Sequence, residues 1–392
     1  MFSSRLSQAS GRNRLSVALD ARRAAKLPIA DLTLSNPTLA GFVYPPDILQ
    51  PLSDGRGLVY APQPFGSQAA REAVSADFAR RGVTVAPSCI VLTASTSEAY
   101  SLLFKLLCNA GDVVLVPKPS YPLLEHLTAL DAVELEHYPL EYHQGWSIDL
   151  DAVRRRLRAA RSAPLRAIVL VTPNNPTGSV VTEAELTALS ALAREHEVAL
   201  ISDEVFSDYT FAISECGSAL RQQDALTFAL GGLSKSVGLP QVKLGWIGVG
   251  GPATLVSDAM ERLETICDAY LSVSTPVQAS AGALMQAGAP VRHQILDRVR
   301  ENFERLSVEA AAFPSCSVLK IDAGWYAVLQ VPRLDSEEAI VLDLLETTGV
   351  LVHPGYFYDF DREAFLVVSL LPETAVFAWA VRALLERIGG RA

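Results

Sequence analysis

The chain has 392 residues, of which 49% are hydrophobic and 19% charged, and its formal net charge is −10. This length and apolar content are enough for two or three domain-sized pieces with buried cores. The acidic balance disfavours nucleic acid and anionic membrane surfaces as partners, because both bind clustered cations. Apolar runs stay short of the roughly 20 residues that a membrane-spanning helix needs, so no membrane partner is predicted.

The N-terminal segment and the cysteines indicate in which cellular compartment the protein is located. Residues 1–26 carry five arginines and a single acid, Asp20, which is typical of a transit peptide and equally of an amphipathic helix that packs on a partner. The cysteines are scattered without metal-ligand spacing, which indicates reduced thiols. We predict a cytoplasmic location, with a transit peptide as the alternative. The cysteines are Cys89, Cys108, Cys216, Cys267 and Cys316.

From about residue 85 to residue 250, short β-rich runs alternate with longer helical stretches. The helical stretch 98–108 carries a stripe of leucines, and the turn residues 109–112 follow it. This alternation predicts an α/β fold: a mostly parallel sheet with helices on both faces. The β-rich runs are residues 90–92, 113–116, 167–172, 198–202 and 244–249.

The remainder of the chain is more mixed. A long helical pattern follows Ser280, and residues 316–331 and 350–371 are strand-rich. We expect a smaller α+β domain here, joined by the N-terminal residues. The predicted division is a large domain of residues 46–279 and a small domain formed by residues 1–45 and 280–392.

Polar and turn residues follow several of the predicted strands. They lie at 93–97, 117–121, 172–178 and 203–204. In parallel sheets, ligands bind beyond the carboxyl ends of the strands. These segments therefore predict one site along one rim of the sheet.

Lys235 lies among small residues near the end of an apolar run. Such a lysine can be shielded from water, which lowers its pKa and exposes a nucleophilic amine. By itself the segment fits a solvated surface lysine equally well. It is not a nucleotide-binding P-loop, because Ser234 stands where that motif needs glycine.

Several motifs occur together and in order: Asn175-Pro176-Thr177-Gly178, Asp203-Glu204-Val205-Phe206, Ser234-Lys235 and Lys243-Leu244-Gly245-Trp246. Flanking matches include Ser35-Asn36-Pro37, Tyr60, Pro119-Ser120-Tyr121-Pro122 and His353-Pro354-Gly355. Over nearly its whole length the chain resembles fold-type I enzymes dependent on pyridoxal 5′-phosphate (PLP), in the class I/II aminotransferase family of the aspartate aminotransferase superfamily. The resemblance implies a homodimer with active sites at the interface.

The resemblance also implies roles for single residues. Lys235 would form the Schiff base with PLP and move the proton at the substrate Cα, and Asp203 would keep the pyridine nitrogen protonated. Asn175 would contact both the cofactor 3′-oxygen and the substrate, and Asn36 the substrate. No metal is predicted. The other implied cofactor-binding residues are Ser95, Thr96 and Ser97 at a helix start suited to phosphate, Tyr121 on the ring face, Phe206, Ser234, Lys243, and Tyr60 from the neighbouring subunit.

Some positions depart from the family pattern. Lys243 replaces an arginine and keeps the charge without its bidentate geometry. Phe206 lacks the hydroxyl that a tyrosine would donate to the 3′-oxygen. Gly232 and Ser95 replace a serine and a glycine of the phosphate loop.

Val367 stands where most relatives place the arginine that binds the substrate α-carboxylate. Either another cation makes this contact or the substrate is not an ordinary α-amino acid. The candidate cations are Arg362, Lys243 and Arg22.

The leading hypothesis is a transaminase that moves an amino group between an amino acid, or a related amine, and a 2-oxo acid. A PLP-dependent lyase or cyclase acting on an unusual amino acid is the alternative, because such reactions also begin with a Cα carbanion. A non-catalytic aminotransferase-like sensor is a remote third. It would need a DNA-binding domain, for which the acidic chain leaves little room before Ser35.

Overall fold

The structure is a computed structural model that describes residues 2–6, 11–159, 163–211 and 217–390; Cys216 lies outside these ranges. The helices are α1 (Arg14–Ala24), α2 (Gln68–Arg80), α3 (Thr96–Leu107), α4 (Leu123–Leu130), α5 (Leu150–Arg158), α6 (Glu183–Glu195), α7 (Leu233–Ser236), α8 (Ala253–Asp268), α9 (Thr275–Ala287), α10 (Ala289–Ala310), α11 (Glu337–Thr347) and α12 (Thr374–Gly389).

The strands follow the same chain order. They are β1 (Ala30–Asp31), β2 (Ile90–Thr93), β3 (Val113–Lys118), β4 (Glu134–Tyr142), β5 (Trp146–Ile148), β6 (Leu165–Val171), β7 (Ala199–Asp203), β8 (Thr227–Gly232), β9 (Gly245–Gly250), β10 (Ser317–Val318), β11 (Tyr326–Gln330), β12 (Val350–Leu351), β13 (His353–Pro354) and β14 (Phe365–Ser369).

The central sheet has the strand order β2-β9-β8-β7-β6-β3-β4-β5. The pairs β8–β7, β7–β6, β6–β3 and β3–β4 are parallel, whereas β9 runs antiparallel to both of its neighbours and β5 runs antiparallel to β4. The prediction of a mostly parallel sheet is confirmed. Strands β4, β5 and β8 were not among the predicted runs, because β4 carries exposed glutamates and β8 ends in two glycines.

Helices cover both faces of this sheet, as predicted for the α/β class. Successive residues of β3 point to opposite sides, so Val114 and Val116 join the core beneath α3 and α8, and Leu115 joins the core beneath α5 and α6. Strand β6 alternates in the same way. The sheet is therefore buried on both sides, and its strand ends are left as the accessible rim.

A second sheet is formed by the C-terminal part of the chain. Its strands β10, β11, β14 and β13 are antiparallel, and α10 packs against α12 beside it. Strand β1 pairs with β12 in parallel, with Ala30 opposite Val350, so the N-terminal segment joins the C-terminal one. The domain boundaries at residues 45 and 279 stay a prediction.

Helix α1 is held at both ends by side-chain hydrogen bonds. The Asn13 side chain accepts from the Ser16 N–H at 2.7 Å, and the Arg22 guanidinium donates to the carbonyl oxygens of Pro28 and Glu346. The helix packs on α11. Across the described ranges, no helix has the length and apolar character needed to cross a bilayer.

Candidate active site

A cavity of about 500 Å³ opens at the carboxyl ends of β6 and β7, beside the first turn of α3. In parallel sheets, ligands bind at this position, beyond the carboxyl ends of the strands. Its wall combines polar groups with an unusual share of aromatic rings. The lining residues are Thr33, Ser35, Thr96, Tyr100, Ser120, Tyr121, Leu123, Leu124, Val171, Asn175, Asp203, Val205, Phe206, Lys235, Tyr326, His353, Phe357 and Tyr358.

Lys235 projects into this cavity from α7, the single helical turn that follows β8. Its amine lies 4.9 Å from the ring centroid of Trp325 and 5.7 Å from that of Phe206. Burial among these rings lowers the pKa of the Lys235 amine to about 8, although the charge of Asp203 acts in the opposite direction. A substantial fraction of the amine is therefore neutral and nucleophilic near neutral pH.

The backbone around Lys235 is held by buried side chains from distant elements. Tyr209 donates its hydroxyl to the Lys235 carbonyl oxygen, and Arg292 of α10 donates Nε–H to the Ser236 carbonyl at 2.7 Å. Both donors are buried. They fix the turn from which the amine reaches the cavity.

Asp203 is the last residue of β7 and faces the same cavity. Its Oδ1 accepts from the Val205 N–H at 3.2 Å, and its Oδ2 accepts from the Tyr100 hydroxyl at 3.1 Å. Burial raises the pKa of the carboxyl to about 6, against the lowering effect of these hydrogen bonds and of Lys235. A protonated group of a ligand inside the cavity would therefore stabilise the ionised form of the Asp203 carboxyl.

The start of α3 offers donors for an anion. Ser95 caps the helix, with Oγ accepting from the Glu98 N–H at 3.2 Å, and the first helical backbone bond runs from Ala99 to Ser95. The N–H groups of Thr96 and Ser97 lie ahead of that bond, at the positive end of the helix dipole. Of these residues, Thr96 lines the cavity.

Glycine is required where β9 passes this helix start. A Cβ on Gly245 would lie 2.9 Å from Thr93 Oγ1, 3.0 Å from the Ser95 carbonyl carbon and 3.2 Å from the Thr96 nitrogen. At Gly232, a Cβ would lie 3.0 Å from the Leu244 carbonyl oxygen, so the serine of the family pattern would be crowded here.

Three further predicted residues line the cavity: Asn175, Tyr121 and Phe206. Within the described residues, the buried side-chain oxygen of Asn175 has no hydrogen-bond partner, as expected of a group that meets a ligand. Tyr121 is 44% exposed, so a ring face remains available for stacking. Phe206 packs edge-on against Trp325 at 5.2 Å.

Other predicted residues lie away from the cavity wall. Asn36 turns its side-chain oxygen to Thr38 as the cap of a short turn. Lys243 is exposed in a left-handed conformation, with φ 61°. Tyr60 is 75% exposed and lines a separate cavity of about 250 Å³ together with Arg56. Ser95, Ser97 and Ser234 adjoin lining residues without lining the cavity themselves. The roles assigned to all these residues stay predictions.

The structure answers the question of the missing arginine. Val367 is fully buried in β14. Arg22 is used at the end of α1, and Arg362 lies over the Phe365 ring and lines a different cavity. Among the described residues that line the active-site cavity, Lys235 is the single lysine and arginine is absent.

Several residues that build the site were not singled out from the sequence. Tyr100 lies one helical turn after Thr96, and this spacing could have revealed it. Trp325, Tyr326 and His353 come from the C-terminal part of the chain. His353 belongs to one of the flanking motifs, but nothing in the sequence indicates that it lines the same cavity as Lys235.

The donors and acceptors of the cavity fit PLP. A lysine amine can bond its aldehyde, a buried carboxylate can hold its ring nitrogen, and an unsatisfied amide can meet its 3′-oxygen. The N–H groups at the start of α3 suit its phosphate.

Comparisons with known proteins agree. The family profile described as aminotransferase class I and II matches residues 32–376. Alanine aminotransferase of Mycobacterium tuberculosis is 28% identical over 381 residues, covering 92% of this chain and 85% of that protein. The glutamate-pyruvate aminotransferase of Escherichia coli is 26% identical over 364 residues, covering 87% of this chain and 86% of the relative.

A similar fold occurs in solved structures. An alanine aminotransferase from Pyrococcus furiosus superposes with a TM-score of 0.89 at 23% identity over 100% of both chains. An aminotransferase from Escherichia coli gives a TM-score of 0.87 at 23% identity, covering 100% of this chain and 98% of the other. The chain therefore belongs to the class I and II aminotransferase family and is a PLP-dependent enzyme that acts on amino acid and 2-oxo acid substrates.

Proposed function

We propose that Lys235 holds PLP as a Schiff base and that Asp203 keeps the ring nitrogen protonated during amino-group transfer. The observation that carries the proposal is one cavity in which an amine with a pKa of about 8 and a buried carboxylate face the same space. PLP, when bound, supplies the electron-withdrawing ring that stabilises negative charge at the substrate Cα.

The residues of this chain would do the rest. The Lys235 amine would act as the base for the proton on the substrate Cα, because burial beside the Trp325 ring lowers its pKa and keeps part of it neutral. Tyr100 and the Val205 N–H orient the Asp203 carboxylate. Asn175 and Thr96 would bind the 3′-oxygen and the phosphate.

The names of the relatives indicate the first substrates to test. One relative is named alanine aminotransferase, and the other glutamate-pyruvate aminotransferase. For the first assays we propose glutamate as the amino donor and pyruvate as the acceptor, with alanine as the donor of the reverse reaction.

Two measurements test the proposal. Borohydride reduction of the holoenzyme should attach the cofactor to the peptide that carries Lys235, with Lys243→Ala labelled as the wild type is and Lys235→Ala unlabelled. A label on any other lysine contradicts the assignment.

A single half-reaction with alanine should leave the amino form of the cofactor and pyruvate, whereas release of ammonia together with keto acid would indicate a lyase instead.

We also propose a homodimer in which Tyr60 reaches the phosphate in the other subunit. In its own chain Tyr60 lies outside the Lys235 cavity and is 75% exposed, and its neighbours Leu58 and Val59 are 88% and 67% exposed. A run of exposed apolar side chains is typical of an interface.

Sedimentation and hybrid formation test the dimer. A dimer of Tyr60→Phe should lose cofactor affinity without dissociating. Mixing Tyr60→Phe with Lys235→Ala should restore activity in every mixed dimer, because one of its two sites then keeps both native residues. A monomeric holoenzyme, or no recovery in hybrids shown to form, would contradict the shared site.

We propose a cytoplasmic location because the described cysteines are free thiols. Cys89, Cys108, Cys267 and Cys316 are free in the described residues. Free thiols suit a reducing compartment. Localisation of the tagged full chain tests this, and recovery in an organelle with residues 1–26 removed would support the transit peptide instead.

A further inference from the structure

The charge of the active-site cavity limits how a substrate carboxylate can bind. Asp203 already contributes a carboxylate, and the phosphate of PLP adds more negative charge. Under the proposed function, on which this inference rests, Lys235 is occupied by the cofactor. Among the described lining residues, His353 is then the remaining side chain that can become a cation.

The position of His353 suits the role. It lies in β13 directly opposite Val367 of β14, so both side chains lie on the same face of the small sheet. Its ring stacks on Phe357 with centroids 4.9 Å apart and planes 4° apart, and it meets Tyr358 edge-on at 5.8 Å. These contacts hold the imidazole as one wall of the cavity.

Asp31 is placed to support a charged imidazole. Its Oδ1 accepts from the Thr33 N–H at 2.8 Å and from the Thr33 hydroxyl at 2.6 Å, which fixes the carboxylate at the end of β1. Its charge favours protonated His353, but burial outweighs it and lowers the pKa of His353 to about 4. The imidazole is therefore neutral at pH 7.

Other titratable groups around His353 do not supply a positive charge. Burial raises the pKa values of the phenols of Tyr326 and Tyr358, which remain neutral donors. Tyr121 is a third phenol on the cavity wall. Glu337 belongs to α11, the helix that packs on β13. Its carboxylate accepts hydrogen bonds from the N–H groups of Tyr356 and Phe365 at 2.7 and 2.8 Å.

We infer that His353 binds the substrate α-carboxylate in place of an arginine, and that the carboxylate enters together with one proton taken from water by the imidazole. The imidazolium so formed pairs with the substrate carboxylate, and the charge of Asp31 stabilises it. The hydroxyl groups of Tyr326 and Ser35, which line the same cavity, complete the donors around the carboxylate. Substrate affinity should then fall as pH rises, because the proton becomes harder to acquire.

Calorimetry on the holoenzyme tests this without any turnover. The probe is 3-phenylpropanoate, which has no amine to react and a ring that suits the aromatic wall, and the neutral control is 3-phenylpropanamide. Titrations at pH 7.5 in two buffers of different ionisation enthalpy count protons. For the wild type we expect uptake of about one proton per carboxylate and none for the amide. The Kd for the carboxylate should rise roughly tenfold per pH unit between the pKa of the free imidazole, about 4, and the pKa that it reaches in the complex.

Two variants assign the proton. In His353→Gln, which keeps an N–H donor but cannot become charged, uptake should disappear and the Kd should no longer depend on pH. Asp31→Asn keeps an acceptor for Thr33 and removes the charge, so it should weaken carboxylate binding and leave amide binding unchanged. The Asp31 variant also serves if His353→Gln does not fold.

The outcomes separate this inference from the proposed function. Uptake that persists in His353→Gln would place the proton elsewhere, for example on the imine, and would overturn the inference. Absence of uptake in the wild type, or equal binding of acid and amide, would overturn it as well. Because the probe does not react, a failed alanine half-reaction would refute amino transfer and leave the proton count standing.

Discussion

The amine of Lys235 lies 4.9 Å from the centre of the Trp325 ring, although 90 residues of chain separate the two. The indole is fully buried, and Tyr209 and Phe206 pack edge-on against it at 5.1 and 5.2 Å. An ammonium gains from the ring face but loses its water, and for Lys235 burial is the larger effect. Trp325 thus keeps the amine reactive.

Replacing this tryptophan should make the amine more basic. In Trp325→Leu, water reaches Lys235, so its pKa should rise from about 8 toward the ordinary 10.5. The rate at which apoenzyme captures PLP follows the neutral amine, and its midpoint should move to higher pH. Trp246→Leu is the control, since that indole is also buried but is not one of the rings that the Lys235 amine contacts among the described residues. Both variants should lose on the order of 3 kcal/mol of unfolding free energy. An unchanged midpoint in Trp325→Leu contradicts this role.

Asp203 should cost the apoenzyme stability at neutral pH. Its pKa is raised from 3.8 to about 6 by burial, so its contribution is most favourable below pH 3.8 and is lost as pH rises through 6. Asp203→Asn cannot ionise, and its apoenzyme should be more stable than the wild type at pH 7 by roughly 3 kcal/mol, with the difference closing toward pH 4.

Urea unfolding of the apoenzyme at several pH values measures the effect. Asp54→Asn is the control, because that carboxyl is at the surface and its contact with Arg56 lowers its pKa to about 2. That variant should show no gain. The holoenzyme of Asp203→Asn should lose activity by on the order of 10²–10³-fold. Equal stability of Asp203→Asn and the wild type at pH 7 would show that the carboxylate is well solvated.

Phe206 should raise the pKa of the protonated Schiff base. A phenyl ring cannot donate to the cofactor 3′-oxygen, so the anion there is less stabilised and the imine proton is held more tightly. In Phe206→Tyr, the added hydroxyl should lower this pKa, as read from a pH titration of the visible absorption band. Phe211→Tyr, whose ring stacks on Phe303 at 5.5 Å outside the cavity, should titrate like the wild type. The prediction is wrong if Phe206→Tyr titrates at the same pH.

Gly245 should be needed for phosphate binding. An alanine Cβ would press on Thr93 Oγ1 and on the backbone between Ser95 and Thr96. Gly245→Ala should weaken PLP binding by roughly 1–3 kcal/mol through displacement of the α3 start. Fluorescence titration of the apoenzyme with PLP measures it. Gly282→Ala is the control, since its Cβ meets Ala73 at an ordinary 3.4 Å in mid-helix. Unchanged affinity in Gly245→Ala would mean that the loop adapts.

The sequence by itself predicted the mostly parallel sheet and, through its resemblance to a family, the cofactor; it also singled out Asn175, Asp203 and Lys235, which line one cavity. Alternating apolar strands and amphipathic helices allow few other arrangements, and the segments around Asn175, Asp203 and Lys235 each carry their chemistry within a few neighbouring residues. Strand ends in a parallel sheet meet at one rim, so these segments had to converge. Strands β4 and β8 were not predicted, because the exposed glutamates of β4 and the glycines of β8 obscure the apolar pattern.

Only the tertiary structure decided the electrostatics of the site. Burial is the main cause of the pKa shifts of Lys235 and Asp203, and Trp325 and Tyr100, which contact these two side chains, are distant from them in the chain. It also showed that Lys243, a predicted phosphate ligand, is exposed in a left-handed turn, and that His353 stands across from Val367. Desolvation and charge act through space, so sequence spacing cannot report which groups share a cavity or how far water is excluded from it.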